Sequence, residues 1–477
     1  MTSADPGRFL TTAARTRVGD VVAALKDMFG PRLSTVLTVR EQHGRGEALD
    51  AGAPPDAVVY PESTAEVSQI VTLCAANDVP VIPYGAGTSV EGHVSAPYGG
   101  ICIDVSRMNQ VLAVHAEDGD CVVQPGITRG TLNAYLRDSG LFFPVDPGAD
   151  ASIGGMLSTR ASGTTTVRYG GMPQQVMALE AVLADGRVVR CGTRARKSSA
   201  GYDLVRMFVG AEGTLGIVTE VTLRLHGRPE ATGTLTSTFS TMRDAVDTAT
   251  ALSMTGMGVA RIEFLDEVQV HACNVYSKLE LPEQPLLFIE FHGIGVAVEE
   301  QVSRAREIAE SFSGTVLGGA TSEQERDRLW KARHAAYFAA LAMRPGCKAL
   351  IADVCVPISA LAECVVETRA AIDAAGLHAP ILGHVGDGNF HVIFLLDPHE
   401  PDERKRADAV YDALIDRALH AGGTCTGEHG IGYGKRHKLL REAGDDVVAL
   451  MRAVKTAWDP QGILNPGKIF LSDPTRP

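Results

Sequence analysis

The sequence predicts an α+β protein of more than one domain, and three observations carry that prediction. The chain has 477 residues, and a single domain usually takes roughly 100–200. Short apolar runs of strand length alternate with amphipathic segments of helix length along the whole chain. Glycine supplies 50 residues, so tight loops between the elements become features in their own right.

The elements follow in order. An N-terminal helical segment is expected over residues 1–50. Residues 63–76, STAEVSQIVTLCAA, open with Ser63 and Glu66 at capping-box spacing and place Val67, Ile70, Val71 and Cys74 on one face, which predicts a helix. The run VPVIPYG then reads as a strand, followed by a loop, GAGTSVEG, at 85–92. Strands are expected at 101–105, 111–115 and 121–126, and a helix in TRGTLNAYLRDSG with Gly140 as its stop. The stretch 144–170 has no clear periodicity, and loops of that length are usually functional. Two β-like runs around Asp185-Gly186 predict a hairpin, and FVGAEGTLGIVTEVTLRL completes a sheet-rich module over 51–228. From there to about 425, helices such as STMRDAVDTATALSM alternate with strands such as PLLFIEF, predicting a second α+β domain. Residues 426–477 form a closing segment.

Composition narrows the class. With 45% hydrophobic and 21% charged residues the chain reads as an ordinary soluble globular protein. A formal net charge of −13 with no basic block beyond short runs such as RKR argues against nucleic acid as a partner. The nine cysteines are scattered and never form Cys-x-x-Cys, so neither a disulfide scaffold nor a thiolate metal site is expected. No run of about 18 apolar residues occurs, and Asp5 and Asp20 flank the arginine-containing RFLTTAARTR, which argues against a targeting leader. The expected location is the cytoplasm, at most peripheral to a respiratory membrane.

Chemistry first shows in the glycine loops. PYGAGTSVEG places Gly85, Gly87, Thr88 and Ser89 directly after a strand, where backbone N–H groups can converge on a phosphate. It is neither a Walker A loop nor a G-x-G-x-x-G motif. Three more small-residue loops, PGADASIGGM, RASGT and GAEGTLGIVT, occur in the same module, and four together suggest an extended ligand.

PYGAGTSVEG, DASIGGMLSTRASGTTTVRYG and GAEGTLGIVTEVTLRL, in this order, resemble the flavin-contacting segments of the vanillyl-alcohol-oxidase type of flavoprotein. The resemblance runs from about residue 55 to 470. It is closest to the D-lactate and D-2-hydroxy-acid dehydrogenase branch, which includes the glycolate oxidase catalytic subunit. LWKARHAAYFAALAMRPGCKALIADVCVPIS is similar to the cytochrome-type D-lactate dehydrogenases within it. The resemblance implies a PCMH-type FAD-binding module of two subdomains, an α+β cap domain for substrate, and a C-terminal segment that returns to the flavin. It implies Gly85, Ala86, Gly87, Thr88, Ser89 and Gly92 at the pyrophosphate. Pro147, Ser152, Ile153, Gly155, Ser162 and Gly163 would lie along the flavin, Glu212, Gly213 and Ile217 near its adenine half, and Asn465 and Lys468 in the returning segment. The first loop offers no histidine before His93 for covalent attachment, so noncovalent FAD is expected.

Two histidines bracket the polar loop GHVGDGNFH, and GTCTGEHGIGYGK downstream adds Glu428 and His429. Two imidazoles and a carboxylate, His384, His391 and Glu428, suit a divalent ion of the zinc, manganese or iron kind. Their spacing is no standard zinc signature, but the resemblance implies the same three ligands and makes His429 the base. Neighbours in an extended segment point to opposite faces, which fits a division of Glu428 and His429 into ligand and base. Leu329, Arg333, Tyr337 and Leu341 recur at i+4, placing Arg333 on the inward row of a helix. A buried arginine needs an anion, which the residues alone leave open between a structural carboxylate and a substrate. The resemblance implies that Arg333 clamps the substrate carboxylate, with Lys348 beside it.

Ile393 departs from relatives that oxidise D-2-hydroxyglutarate, which carry asparagine there. On a strand beginning at His391 it shares that residue's face, so a monocarboxylic acid is expected, D-lactate to pyruvate above all. D-2-hydroxyglutarate or glycolate oxidation in the same family and, in a different class, metal-dependent hydrolysis are the alternatives. The electron acceptor is expected among cytochrome c, a quinone and an electron-transfer flavoprotein, and a homodimer stays open.

Overall fold

The structure is a computed structural model, and it describes residues 9–47, 52–320 and 322–471. Residues 1–8 and 48–51, on which parts of the predicted N-terminal segment fall, lie outside the described residues. The chain forms two compact units: residues 1–161, 171–227 and 428–477 in the first, and 162–170 and 228–427 in the second.

The first unit holds two principal sheets. In the four-stranded sheet, Ile101–Asp104 lies between Ala57–Val59 and Val81–Tyr84, parallel to both, with Leu33–Ser34 at the edge. The five-stranded sheet is antiparallel, with Ile217–Arg224 at its centre. The predicted helix forms as Thr64–Ala76: the Ser63 hydroxyl accepts from the Glu66 N–H at 3.3 Å, and Val67, Ile70, Val71 and Cys74 are buried. Glu66 differs from a standard capping box, since its carboxylate accepts from the Glu62 N–H and pairs with Arg32. Gly140 ends the next helical stretch in the left-handed region, at φ +73°. The hairpin around Asp185-Gly186 pairs Val176–Val182 with Val188–Gly192.

The stretch 144–170 is more regular than its sequence suggests. It contains the helices Ile153–Thr159 and Thr166–Tyr169. The former is capped by the Ser152 hydroxyl, and a Cβ on Gly154 would lie 2.6 Å from that of Pro125. Close packing, rather than helix propensity, explains glycine inside this helix.

The second unit is built on a seven-stranded antiparallel sheet. Its strands are β1 (Ala231–Thr238), β2 (Val259–Leu265), β3 (Leu286–Gly293), β4 (Thr315–Gly318), β5 (Lys348–Cys355), β6 (Ile381–Gly383) and β7 (Asn389–Leu396). Their order is β4-β1-β3-β2-β6-β7-β5. The helix expected to carry Leu329, Arg333, Tyr337 and Leu341 is broken at Ala335 into Glu323–His334 and Ala336–Met343. The i+4 row survives the break: Leu329, Tyr337 and Leu341 pack on an apolar cluster containing Trp330, Ile393 and Leu395. No helix of the described residues is long and apolar enough to cross a membrane.

Candidate active site

In the first unit the glycine loops meet as a backbone-lined cradle. A Cβ on Gly85 would stand 2.2 Å from the Ser152 hydroxyl, and one on Gly213 2.2 Å from the Pro83 ring. Gly87, Gly92 and Gly213 all have positive φ, which glycine alone adopts freely. Ser89 Oγ is buried with no hydrogen-bond partner among the described residues, an unmet polar group inside the loop. Of the other residues implied by resemblance, Ile153 and Ile217 are core residues of the two subdomains, whereas Pro147 is half-buried. Ser162 and Gly163 belong to the segment 162–170 of the second unit.

Glu212 anchors the returning segment. At φ +53°, it accepts from the N–H groups of Ile431 and Gly432 at 2.7 and 2.8 Å, and its own carbonyl accepts from Asn465 Nδ2 at 2.7 Å. Burial raises its pKa, but His93 at 3.4 Å and the two N–H groups outweigh it and hold the carboxyl below its ordinary value. Lys468 donates to Ser95 O at 2.6 Å, and burial, opposed by Glu212, brings it down to about 7. Glu212 thus fastens the GIG stretch that immediately follows Glu428 and His429.

In the second unit a tight turn gathers the histidines. His384 follows β6, one 3-10 turn intervenes, and Gly388 at φ +81° starts the chain back into β7, where His391 is the third residue. A Cβ on Gly388 would lie 2.1 Å from Val356 O, so glycine is required twice over. The two imidazoles come to 5.5 Å between centroids at 84°. Each is backed by a fully buried carboxylate: His384 Nδ1 lies 2.7 Å from Glu263 Oε1, and His391 Nδ1 3.4 Å from Asp353 Oδ1. Asp353 also accepts from Asn389 Nδ2 at 2.8 Å and from the Thr426 hydroxyl at 3.0 Å. A carboxylate hydrogen-bonded at Nδ1, as Glu263 is to His384, fixes the orientation of the ring, the arrangement usual in the second layer around a metal-binding histidine.

Arg333 is 7% exposed, and its Nη2 stands 2.5 Å from Glu263 Oε2. That contact is an ion pair of poor direction, and Arg333 Nε has no hydrogen-bond partner among the described residues. One turn earlier, Trp330 donates to Glu290 at 2.6 Å while Arg261 stacks on its ring at 4.5 Å. Ile393 lies one pleat from His391 on the same face of β7, among the apolar side chains under this helix.

Lys348 does not join the group. It is exposed at the start of β5, about 17 Å along the strand from Asp353 at the usual rise. Five residues of uninterrupted register put it on the opposite face. Its expected place beside Arg333 is corrected accordingly. Sequence reasoning missed Glu263 and Asp353, although an acid inside each of the apolar strands VARIEFL and KALIADVC was a visible signal.

Residues 55–192 match the FAD binding domain family, and residues 228–469 match the family of FAD linked oxidases, C-terminal domain. The chain is 48% identical to the probable mitochondrial D-lactate dehydrogenase of Danio rerio, covering 96% of this chain and 93% of the relative. It is 44% identical to the mitochondrial D-lactate dehydrogenase [cytochrome] of Arabidopsis thaliana, covering 94% and 80%. A solved structure of p-cresol methylhydroxylase superposes with TM-score 0.79 at 18% identity, covering 96% of this chain and 98% of that one, which establishes the fold.

Proposed function

The chain belongs to the FAD-linked oxidase family and is an oxidoreductase, and we propose that it oxidises D-2-hydroxy monocarboxylic acids, D-lactate to pyruvate first among them. The observation that carries this reading is Arg333, a buried guanidinium with an unmet Nε, on the inward row of a helix. An uncompensated buried donor is costly, and a carboxylate would satisfy it with charge-assisted hydrogen bonds.

The backbone cradle and the unmet Ser89 hydroxyl fit a diphosphate, so the loops 85–89 and 152–155 would hold FAD noncovalently. FAD, when bound, supplies the two-electron acceptor. His384 and His391 suit a zinc or manganese ion, with Glu428 as third ligand, two residues beyond the Thr426 that reaches Asp353. Such an ion supplies a Lewis acid that would lower the pKa of the substrate hydroxyl.

The chain's own residues do the rest. Arg333 orients the acid through its carboxylate, and His429 takes the hydroxyl proton, a role suited to imidazole near neutral pH. Ile393 lines the side where a second carboxylate would otherwise be met. The Arabidopsis relative carries "cytochrome" in its name, which favours cytochrome c over a quinone or electron-transfer flavoprotein as acceptor. Both relatives' names also carry "mitochondrial", while a cytoplasmic or peripheral membrane location is what composition favours.

The test is spectroscopic. The purified protein should be yellow and bleach with D-lactate but not with L-lactate; a protein that stays flavin-free and inactive after FAD is added contradicts the reading.

A further inference from the structure

Glu263 differs from every other buried acid around these histidines. Asp353 shares its charge with neutral donors, Asn389 and Thr426, and Glu290 with Trp330, His292 and Arg261. Glu263 is fully buried on β2, and its partners among the described residues are two: His384 through Oε1 at 2.7 Å and Arg333 through Oε2 at 2.5 Å. Among the described residues no backbone N–H or hydroxyl relieves it. A carboxylate placed at 0% exposure with only these neighbours is stabilised only while both are held against it.

We infer that Glu263 is a positioning residue that ties the proposed acid clamp to the proposed metal ligand. One oxygen accepts from His384 Nδ1 and so presents Nε2; the other holds the Arg333 guanidinium by one edge and leaves Nε for an incoming carboxylate. Because one rigid group sets both, a change at Arg333 is transmitted to His384 through that carboxylate. This rests on the ligand and clamp roles proposed above. A purely structural ion pair would instead affect stability alone.

The experiment uses the FAD-loaded full chain and Glu263→Gln, which keeps the shape but offers a single acceptor. Affinity for Mn²⁺ and Zn²⁺ is read by competition with a fluorescent chelator, with no acid present. KM and kcat are measured with D-lactate, alongside flavin content. The expected result is an ion affinity about 10- to 100-fold weaker, as for lost outer-shell partners of metal-bound histidines. KM should rise about tenfold or more with flavin content unchanged, as expected when a charge-assisted contact is misaligned. Glu263→Asp keeps the charge but is one methylene too short to span both partners, so it should recover one property and not both. A folded, flavin-loaded Glu263→Gln with ion affinity and KM equal to wild type overturns the inference.

Should the variant not fold, the wild type decides. Nitrogen-15 spectra of the metal-free protein, with His384 assigned by its loss in His384→Gln, should place the ring proton on Nδ1; a proton on Nε2 overturns the inference. A wild type that binds neither ion nor D-lactate defeats the underlying reading of the site. A wild type that binds both, beside an unaltered Glu263→Gln, defeats only the role of Glu263.

Discussion

The two units present polar groups to a ligand in opposite ways. In the first, the cradle is made of backbone: glycines that no Cβ could replace, and a Glu212 carboxylate committed to two N–H groups of its own unit. In the second, the groups are side chains on one sheet and its covering helix, each imidazole or guanidinium backed by a buried carboxylate. The first region should therefore be sensitive to added atoms and tolerant of charge changes nearby. The second should tolerate isosteric change but respond sharply to charge.

The largest effect should leave both regions standing. His429→Ala removes the proposed base, so anaerobic flavin reduction by D-lactate should slow about 10²- to 10⁴-fold while FAD stays bound. Arg333→Lys tests the charged region: the cation is kept and the fork lost, so kcat/KM should fall about 10- to 100-fold, chiefly through KM. Gly213→Ala tests the cradle. Its Cβ would strike Pro83 at a position with φ +71°, and the left-handed strain alone is about 1–2 kcal/mol. Flavin occupancy after dialysis should drop, and the melting temperature should fall, with KM for D-lactate unchanged in the loaded fraction. Ile393→Asn should shift preference from D-lactate toward D-2-hydroxyglutarate by about tenfold, the scale of one pocket contact.

A separate effect is a pH dependence of the stability of the first unit. Lys468 has a folded pKa of about 7, below the ordinary lysine value of about 10.4. Between those values the unfolded chain binds more protons, so stability contributed through this group rises with pH from about 7 to 10. Lys468→Met should flatten that part of the stability profile, as read by chemical denaturation at several pH values.

The same contrast explains what could be read in advance. Elements governed by local chemistry were legible: Ser63 capping Thr64–Ala76, Gly140 stopping its helix, Asp185-Gly186 turning a hairpin. The helix Ile153–Thr159 was not, because Gly154 there serves packing against Pro125 rather than propensity. In the site, His384 and His391 stood out because polar residues clustered in one loop, and Arg333 because an i+4 row enclosed it. Glu263 and Asp353 come from other strands, and only the sheet register brings them to the histidines. Lys348 shows the converse: the family resemblance implied a place beside Arg333, and strand parity puts it on the face opposite Asp353.

The proposed function requires both FAD and a divalent ion for oxidation of a D-2-hydroxy acid. Anaerobic mixing of the FAD-loaded protein with a panel of D- and L-2-hydroxy acids, before and after chelator treatment and after Mn²⁺ or Zn²⁺ is restored, tests it most directly. Bleaching should be rapid with D-lactate, absent with L-lactate, lost with chelator and recovered with the ion. Bleaching that ignores the chelator, or that follows the L-isomer, would contradict the proposal.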